Sequence, residues 1–407
     1  MTTEELELSS QVDSESTSVA VTDTAVSDTS ENMKKLTGFD FWRTALKSAK
    51  YVVAPMVDQS ELAWRALGRR YGAELCYTPM FHSRLFSENP QYRALQFTTN
   101  QYDRPLIVQF CGDNPETMLK AAKFVEDQCD AVDVNLGCPQ NIAKKGHYGS
   151  YLQDEWELIE SIVKTLHENL KVPVTCKIRV FPDVEKTVRY AKMIEAAGAQ
   201  LLTVHGRLRE QKGHNTGLAD WSQIKRVVEA VKIPVIANGN ILTLEDCDRC
   251  IRETGAVGVM SAEAHLYNPA LFSGKILPVW QLVNEYLEIA KEHPAPLSFV
   301  RGHLFKLFRK CLDTFTEHRS NLGNAKSLEE LESISRDLCA KLEEKFAALT
   351  QEERDELVSG SVEERIQKDI YHSTAYIRPD FAVNIKKPAE TISEPDESCC
   401  KRVKIEQ

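Results

Sequence analysis

Eight short apolar runs between Tyr51 and Ala264, alternating with segments of helical apolar spacing, constrain this chain more than any other feature. The runs are YVVAPM, ELCYTPM, LIVQFCG, AVDVNLG, PVTCKIRV, LLTVHGR, IPVIANGN and AVGVMSAE, each ending in a small cluster of residues such as Gly, Pro, Asn, Lys or His. Strand then helix, eight times over, predicts a (β/α)8 TIM barrel. In that architecture the carboxyl ends of the strands converge on one mouth. Met56, Gln109, Asn135, Cys138, Lys177, His205, Asn238, Gly239 and Ser261 are therefore expected to share a pocket.

A barrel of about 250 residues leaves room for a second unit in a chain of 407 residues. The boundaries read as an acidic disordered tail over 1–33, the barrel over 34–285, a small helical domain over 286–357 and a largely disordered C-terminal extension over 358–407. The first 33 residues hold eight of the excess acids and no Lys or Arg, so the formal charge of −10 says little about the folded surface. No apolar stretch approaches the roughly 20 residues of a membrane span, and the N-terminus has no secretory signal pattern. A cytoplasmic monomer is expected, with KRVK near the C-terminus leaving nuclear import open. The 11 cysteines suit a reducing compartment. Cys247 and Cys250 form one C-x-x-C without a second ligand pair, so no metal is expected.

Beyond Leu297, LSFVRGHLFKLFRKCLDTF places Val300, Leu304, Leu307, Phe308 and Cys311 on one helical face. Arg301, Lys306, Arg309 and Lys310 fall on the other. A solvated outer face and a surface for a polyanion both fit this pattern.

The strand ends carry more specific chemistry. Lys177 follows apolar residues into the barrel, where an unpaired ammonium is costly, so it needs an anionic partner or a path to solvent at the rim. The N1/C2 carbonyl side of a reduced flavin is such a partner. Gln109 and Asn135 offer paired donors and acceptors suited to the edge of a planar heterocycle. His205 ends its strand as a further rim or catalytic candidate. The Gly and small residues at Asn238, Gly239 and Asn240, and at Ser261 and Ala262, stand where loops seven and eight of such barrels bind a phosphate. FMN across the mouth would place its phosphate there and its ring toward Met56 and Lys177. Cys138 lies in a Gly-Cys-Pro turn followed by a polar loop. An ordinary thiol there can donate a proton, whereas neighbouring lysines could instead make it a nucleophile.

APM (Ala54 to Met56), NLGCP with the later GS (Asn135 to Ser150), KIR, VHGR, ADW and NGN occur in the order found in the tRNA-dihydrouridine synthases. The chain resembles that family over about residues 50 to 310. MSAE and VRGHLFKLF resemble its eukaryotic subgroup acting on uridines 16 and 17 of the tRNA D-loop. The resemblance implies hydride transfer from reduced FMN to C6 of uracil, protonation of C5 by Cys138, and NADPH as reductant. It further implies FMN binding by Pro55, Met56, Val57, Gln109, Lys177, His205, Asn238, Gly239, Asn240, Ser261 and Ala262. Asn135, Arg179, Arg207, Arg301 and Lys306 would face the tRNA. The chain departs from the family at Ala262-Glu263, where many relatives carry Gly-Arg, so Glu263 is expected to turn away or be paired. EAHL stands where EGNL is expected in the subgroup. A small-pyrimidine flavin dehydrogenase and a non-catalytic tRNA-binding barrel are the competing readings.

Overall fold

In the computed structural model, described for residues 35–359 and 368–374, the eight runs form β1 (Tyr51–Val53), β2 (Leu75–His82), β3 (Leu106–Cys111), β4 (Ala131–Leu136), β5 (Val174–Arg179), β6 (Leu201–His205), β7 (Val235–Asn238) and β8 (Gly258–Ser261). They close in sequence order into one parallel barrel, with β1 paired to β8. The expected fold is therefore the observed one.

Two-residue side-chain alternation sorts each strand into an inner and an outer set. Val52, Leu75, Ile107, Ala131, Leu201 and Ile236 pack together with Phe41, from the helix Gly38–Thr44 that precedes β1. Val53, Cys76, Val108, Val132, Cys176, Val204 and Val259 lie instead in the large cluster shared with the surrounding helices. Each large side chain fully buried this way stabilises by about 1.5–3 kcal/mol. Further along the strands the inward positions become polar: Gln109, Asp133 and Thr175 are in register, as are Asn135, Lys177 and Thr203, then Arg179, His205 and Asn238. An apolar floor thus gives way to a polar mouth.

A second cluster joins the barrel helix Leu62–Arg70 to the helices Val279–Glu292, Leu297–Leu307, Thr316–Asn324 and Leu328–Ala347. Trp64 is fully buried there, stacked on His303 with ring centroids 4.0 Å apart. His303 Nε2 lies 2.9 Å from Glu61 Oε2, and Tyr286 donates to Glu61 Oε1 at 3.1 Å. The departure at EAHL is accommodated by the same cluster, because buried His265 accepts the Trp64 indole N–H at 3.1 Å.

Two expectations change. The amphipathic helix from Leu297 stops at Leu307, and a separate turn of helix, Cys311–Thr314, follows. At the break Lys310 donates to the Asp369 carbonyl and the Cys311 thiol lies 3.0 Å from the Ile370 carbonyl, so tertiary contacts override the helical period. Residues 368–374, within the stretch expected to be loose, pack instead: Asp369 is buried, and Val279 N–H donates to the Tyr371 carbonyl. The acidic tail and KRVK lie outside the described residues. No described helix is long and apolar enough to cross a membrane.

Candidate active site

The polar mouth is organised from the inside outward. Asp133, at the deepest polar level, accepts from Thr175 at 2.6 Å and from Gln109 Nε2 at 2.8 Å. Gln109 Oε1 accepts from Asn135 Nδ2 at 2.8 Å, which leaves Asn135 Oδ1 facing the turn beyond β4, where it takes the N–H groups of Gly137 (3.1 Å) and Cys138 (2.9 Å). Burial pushes the Asp133 carboxyl up to about 6, against the hydrogen bonds from Thr175 and Gln109. Gln109 is wholly buried, and these two bonds fix its amide while leaving a second N–H and a second lone pair.

One level higher, Lys177 Nζ donates to Asn238 Oδ1 at 2.9 Å, and Asn238 Nδ2 donates to the Met260 carbonyl across to β8. Burial first, then the neighbouring Arg179, pulls the Lys177 ammonium down to about 8. Burial, reinforced by Arg179, Lys177 and Arg207, holds the His205 imidazole well below its ordinary range. His205 is therefore neutral, and its Nε2 lies 3.1 Å from an Arg207 donor nitrogen. Three cations around a neutral imidazole make a mouth that favours an anionic ligand.

Arg179, His205, Arg207, Asn238, Gly239, Asn240, Ser261 and Ala262 all line one cavity of about 210 Å³. Gly239 has φ +111°, and a Cβ there would sit 2.7 Å from that of Ala219 and 2.9 Å from the His205 ring, so the tight β7 turn requires glycine. Ser261 is tied to the Ile241 carbonyl at 2.9 Å, closing the β7 and β8 loops onto each other. This donor set, with a close-approach glycine and a cationic wall, fits a phosphate and a planar anionic ring. Glu263 lines the same cavity and takes part in a further interaction, in keeping with the expectation that it is paired.

Arg179 and Arg207 sit in the mouth with their guanidinium groups already engaged. Arg179 donates to the carbonyls of Gly137, Leu208 and Gln211, and Arg207 to the Gly217 carbonyl and to Asn240 Oδ1. Pro55, Met56 and Val57 follow β1, with Met56 half-buried against all three large clusters and Val57 exposed. Arg301 and Lys306 lie on the helix Leu297–Leu307: Arg301 donates to the carbonyls of Leu322 (3.0 Å) and Ala325 (2.5 Å), and Lys306 to the Tyr267 hydroxyl at 2.9 Å. Of the strand-end residues expected to share a pocket, His205, Asn238, Gly239 and Ser261 line this cavity, Lys177 meets it through Asn238, and Met56, Gln109, Asn135 and Cys138, like Arg301 and Lys306, are not among its lining residues.

Cys138 opens the β4 loop, partly exposed, with its carbonyl accepting from Ser150 N–H (3.1 Å) and Ser150 Oγ (3.0 Å). Burial raises its thiol, outweighing a backbone contact at Gln140 and the cations Arg179, Lys177 and Lys212. A thiol raised in this way favours the protonated form near neutral pH. Lys212, which the strand-end reading missed, donates to Pro139 O, Asn141 Oδ1 and Tyr151 OH and pins that loop. Asp133 and Thr175 were also missed, although D-V-N and T-C-K carry the alternation that points them inward with Asn135 and Lys177. Cys247 and Cys250 are buried in the helix Leu244–Thr254.

The family model for dihydrouridine synthase matches residues 52–353. A rat protein named as a tRNA-dihydrouridine(16/17) synthase, NAD(P)(+)-like, is 56% identical over 317 residues, 77% of this chain and 72% of its own. A Schizosaccharomyces pombe protein named as a tRNA-dihydrouridine(16/17) synthase, NAD(P)(+), is 53% identical over 317 residues, 74% of this chain and 79% of its own. A human protein named as a tRNA-dihydrouridine(20a/20b) synthase, NAD(P)+-like, is 37% identical over 262 residues, 64% of this chain and 82% of its own.

Proposed function

The chain belongs to the dihydrouridine synthase family, and from that premise we propose that it reduces the C5=C6 bond of uridines 16 and 17 in the tRNA D-loop, using FMN and NADPH. The higher identity to the 16/17 relatives than to the 20a/20b relative supports the choice of positions. The observation that carries the chemistry is the Cys138 turn, held by Asn135 Oδ1 on its N–H and by Ser150 on its carbonyl, with Arg179 and Lys177 of the cationic mouth as electrostatic neighbours of the thiol.

When bound, reduced FMN supplies the hydride chemistry at C6 of the uracil, with NADPH regenerating it. The phosphate is assigned to Asn238, Gly239, Asn240, Ser261 and Ala262, and the ring to Pro55, Met56, Val57 and Lys177. Lys177 is anchored by Asn238 and would supply a positive charge to a bound flavin ring. His205, neutral beside Arg207, offers a hydrogen bond without a competing charge. Cys138 holds the proton destined for C5, and its orientation is fixed by Asn135 beneath and Ser150 above. Gln109, anchored on Asp133 and Asn135, is assigned to the pyrimidine side of the flavin ring. A uridine reaches this mouth only when unstacked, at a cost of a few kcal/mol that contacts to the tRNA backbone must offset. Arg179 and Arg207 shape the mouth, with Arg301 and Lys306 assigned to tRNA.

The test is position-resolved mapping of dihydrouridine in unmodified tRNA treated with the purified protein and NADPH or NADH, after its flavin content is recorded. Product at 16 and 17, with a yellow protein, is the expected result. Cys138→Ala is expected to keep flavin and reductant oxidation while product falls by 10²-fold or more, a typical order for a lost acid catalyst. A colourless protein unable to take up flavin, or unimpaired product from Cys138→Ala, overturns the assignment.

A further inference from the structure

His147 stands in the loop that carries Cys138, and none of the roles assigned above uses it. Its imidazole is half-exposed, yet both ring nitrogens meet carboxylates: Nδ1 lies 2.8 Å from Asp113 Oδ2 and Nε2 lies 2.7 Å from Glu155 Oε1. Two acceptors on one ring require two N–H donors, which only the imidazolium provides. Asp113 belongs to the loop after β3, and Glu155 caps the helix Trp156–Asn169. The ring therefore bridges the approaches on either side of the Cys138 loop.

The backbone gives this bridge a mechanical connection to the thiol. His147 has φ +53° and Gly149 φ +68°, two left-handed residues flanking buried Tyr148. Positive φ is uncommon outside glycine, although histidine is among the residues that tolerate it best. Beyond it, the Cβ position of Gly149 lies 2.7 Å from the Cys138 carbonyl oxygen and 2.9 Å from Cys138 Cβ, and Ser150 makes both hydrogen bonds to that carbonyl. Release of the ring would free the turn whose Ser150 holds the Cys138 carbonyl.

We infer that His147, as an imidazolium held between Asp113 and Glu155, is a positioning residue that latches the Cys138 loop. The claim that the latch serves proton delivery rests on the function proposed above; the latch itself does not. The charged and titratable groups around the ring are Asp113 and Glu155, with His82 and Arg84 as electrostatic neighbours through Asp113 and Lys144 and Lys145 on the ring's own loop. The hydrogen bonds that the ring donates to Asp113 and then to Glu155 raise the imidazole above its ordinary 6.5. The latch is thus complete below pH 6.5 and is lost as pH rises through the raised value.

The experiment uses the full chain. His147 ring protonation is followed by NMR, alongside the rate of Cys138 alkylation by iodoacetamide, corrected for its thiolate fraction, and the rate of tryptic cleavage after Lys144 or Lys145. Both rates are expected to rise several-fold across the His147 titration. His147→Asn, which tolerates the left-handed backbone but carries no charge, should be fast throughout, and Asp113→Asn should shift the rise to lower pH. A flat profile in the native protein, or an unchanged rise in His147→Asn, overturns the latch. These readouts need neither flavin nor tRNA, so they stand apart from any failure of the proposed function. Single-turnover dihydrouridine formation by the dithionite-reduced protein should fall over the same pH interval while NADPH-driven flavin reduction does not. If turnover ignores a transition that the other two readouts detect, the positioning role is overturned.

Discussion

Lys177 illustrates how one residue can weaken the fold while serving the site. Its ammonium, ordinarily near 10.5, is pulled to about 8, so folding disfavours its charged form. That penalty is present below pH 8 and fades as pH rises from about 8 to 10.5, because the unfolded chain holds the proton longer. Lys177→Met should therefore stabilise the protein near pH 7 by roughly 1–2 kcal/mol, after allowing for the bond lost to Asn238, with the gain vanishing above pH 10. Urea denaturation at both pH values measures this, and the same variant should retain little flavin. A variant that is no more stable and still yellow contradicts both the burial argument and the assignment. The inward placement of Lys177, His205 and Asn238 was legible because a two-residue period and a strand end suffice to aim a side chain. The partners of Arg179 and Arg207 were not, because they are carbonyls of Leu208, Gln211 and Gly217 in loops whose paths no local pattern encodes.

At the scale of elements, the strands were readable throughout and the segments between them less so. Every apolar run became its strand, since a buried parallel strand needs only a short apolar stretch bounded by turn residues. The helix expected to continue beyond Leu307 breaks because Lys310 and Cys311 engage residues 369 and 370, 59 positions away in sequence. The β4 loop lies between these cases. Its N-L-G-C-P opening and distant G-S marked it as special, but only geometry explains the spacing: Gly149 must pass over Cys138 without a Cβ, and Ser150 must then reach back to its carbonyl. Gly149→Ala places a methyl group 2.7 Å from that oxygen at φ +68°. It should cost about 1–3 kcal/mol of local stability. Product formation should fall while flavin content is unchanged, since the phosphate-side glycine is Gly239 on another loop. Hydrogen exchange over residues 138–150 reports the loosening, and wild-type protection there would refute the account.

Across the whole molecule, the apparent conflict between an acidic chain and a polyanionic substrate turns on where its cations are held. Glu61, His303, Trp64 and Tyr286 lock the helical part to the barrel helix Leu62–Arg70, and barrel and helices from Lys35 onward belong to one compact unit. Burial alone would raise the Glu61 carboxyl, but His303 outweighs it and holds it below its ordinary value. Cations on the helical part can therefore be fixed relative to the mouth. Lys306 is the clearer of the two assigned there, because its ammonium lies over Tyr267 at 4.6 Å and Tyr267 ends the short helix that follows β8. Arg301 has a structural duty at the carbonyls of Leu322 and Ala325, so its substitution mixes folding with binding. Each phosphate neutralised by a protein cation releases condensed counterions and contributes about 0.7–0.9 to the slope of log K against log salt. Lys306→Gln should lower that slope by about this amount and leave thermal stability within roughly 0.5 kcal/mol of the parent. Arg301→Gln should weaken binding too, but with a loss of stability of about 1–3 kcal/mol from the carbonyls left unpaired. tRNA titrations at several salt concentrations, run beside denaturation curves, separate the two. A Lys306→Gln slope equal to that of the parent would move the phosphate contact away from this helix.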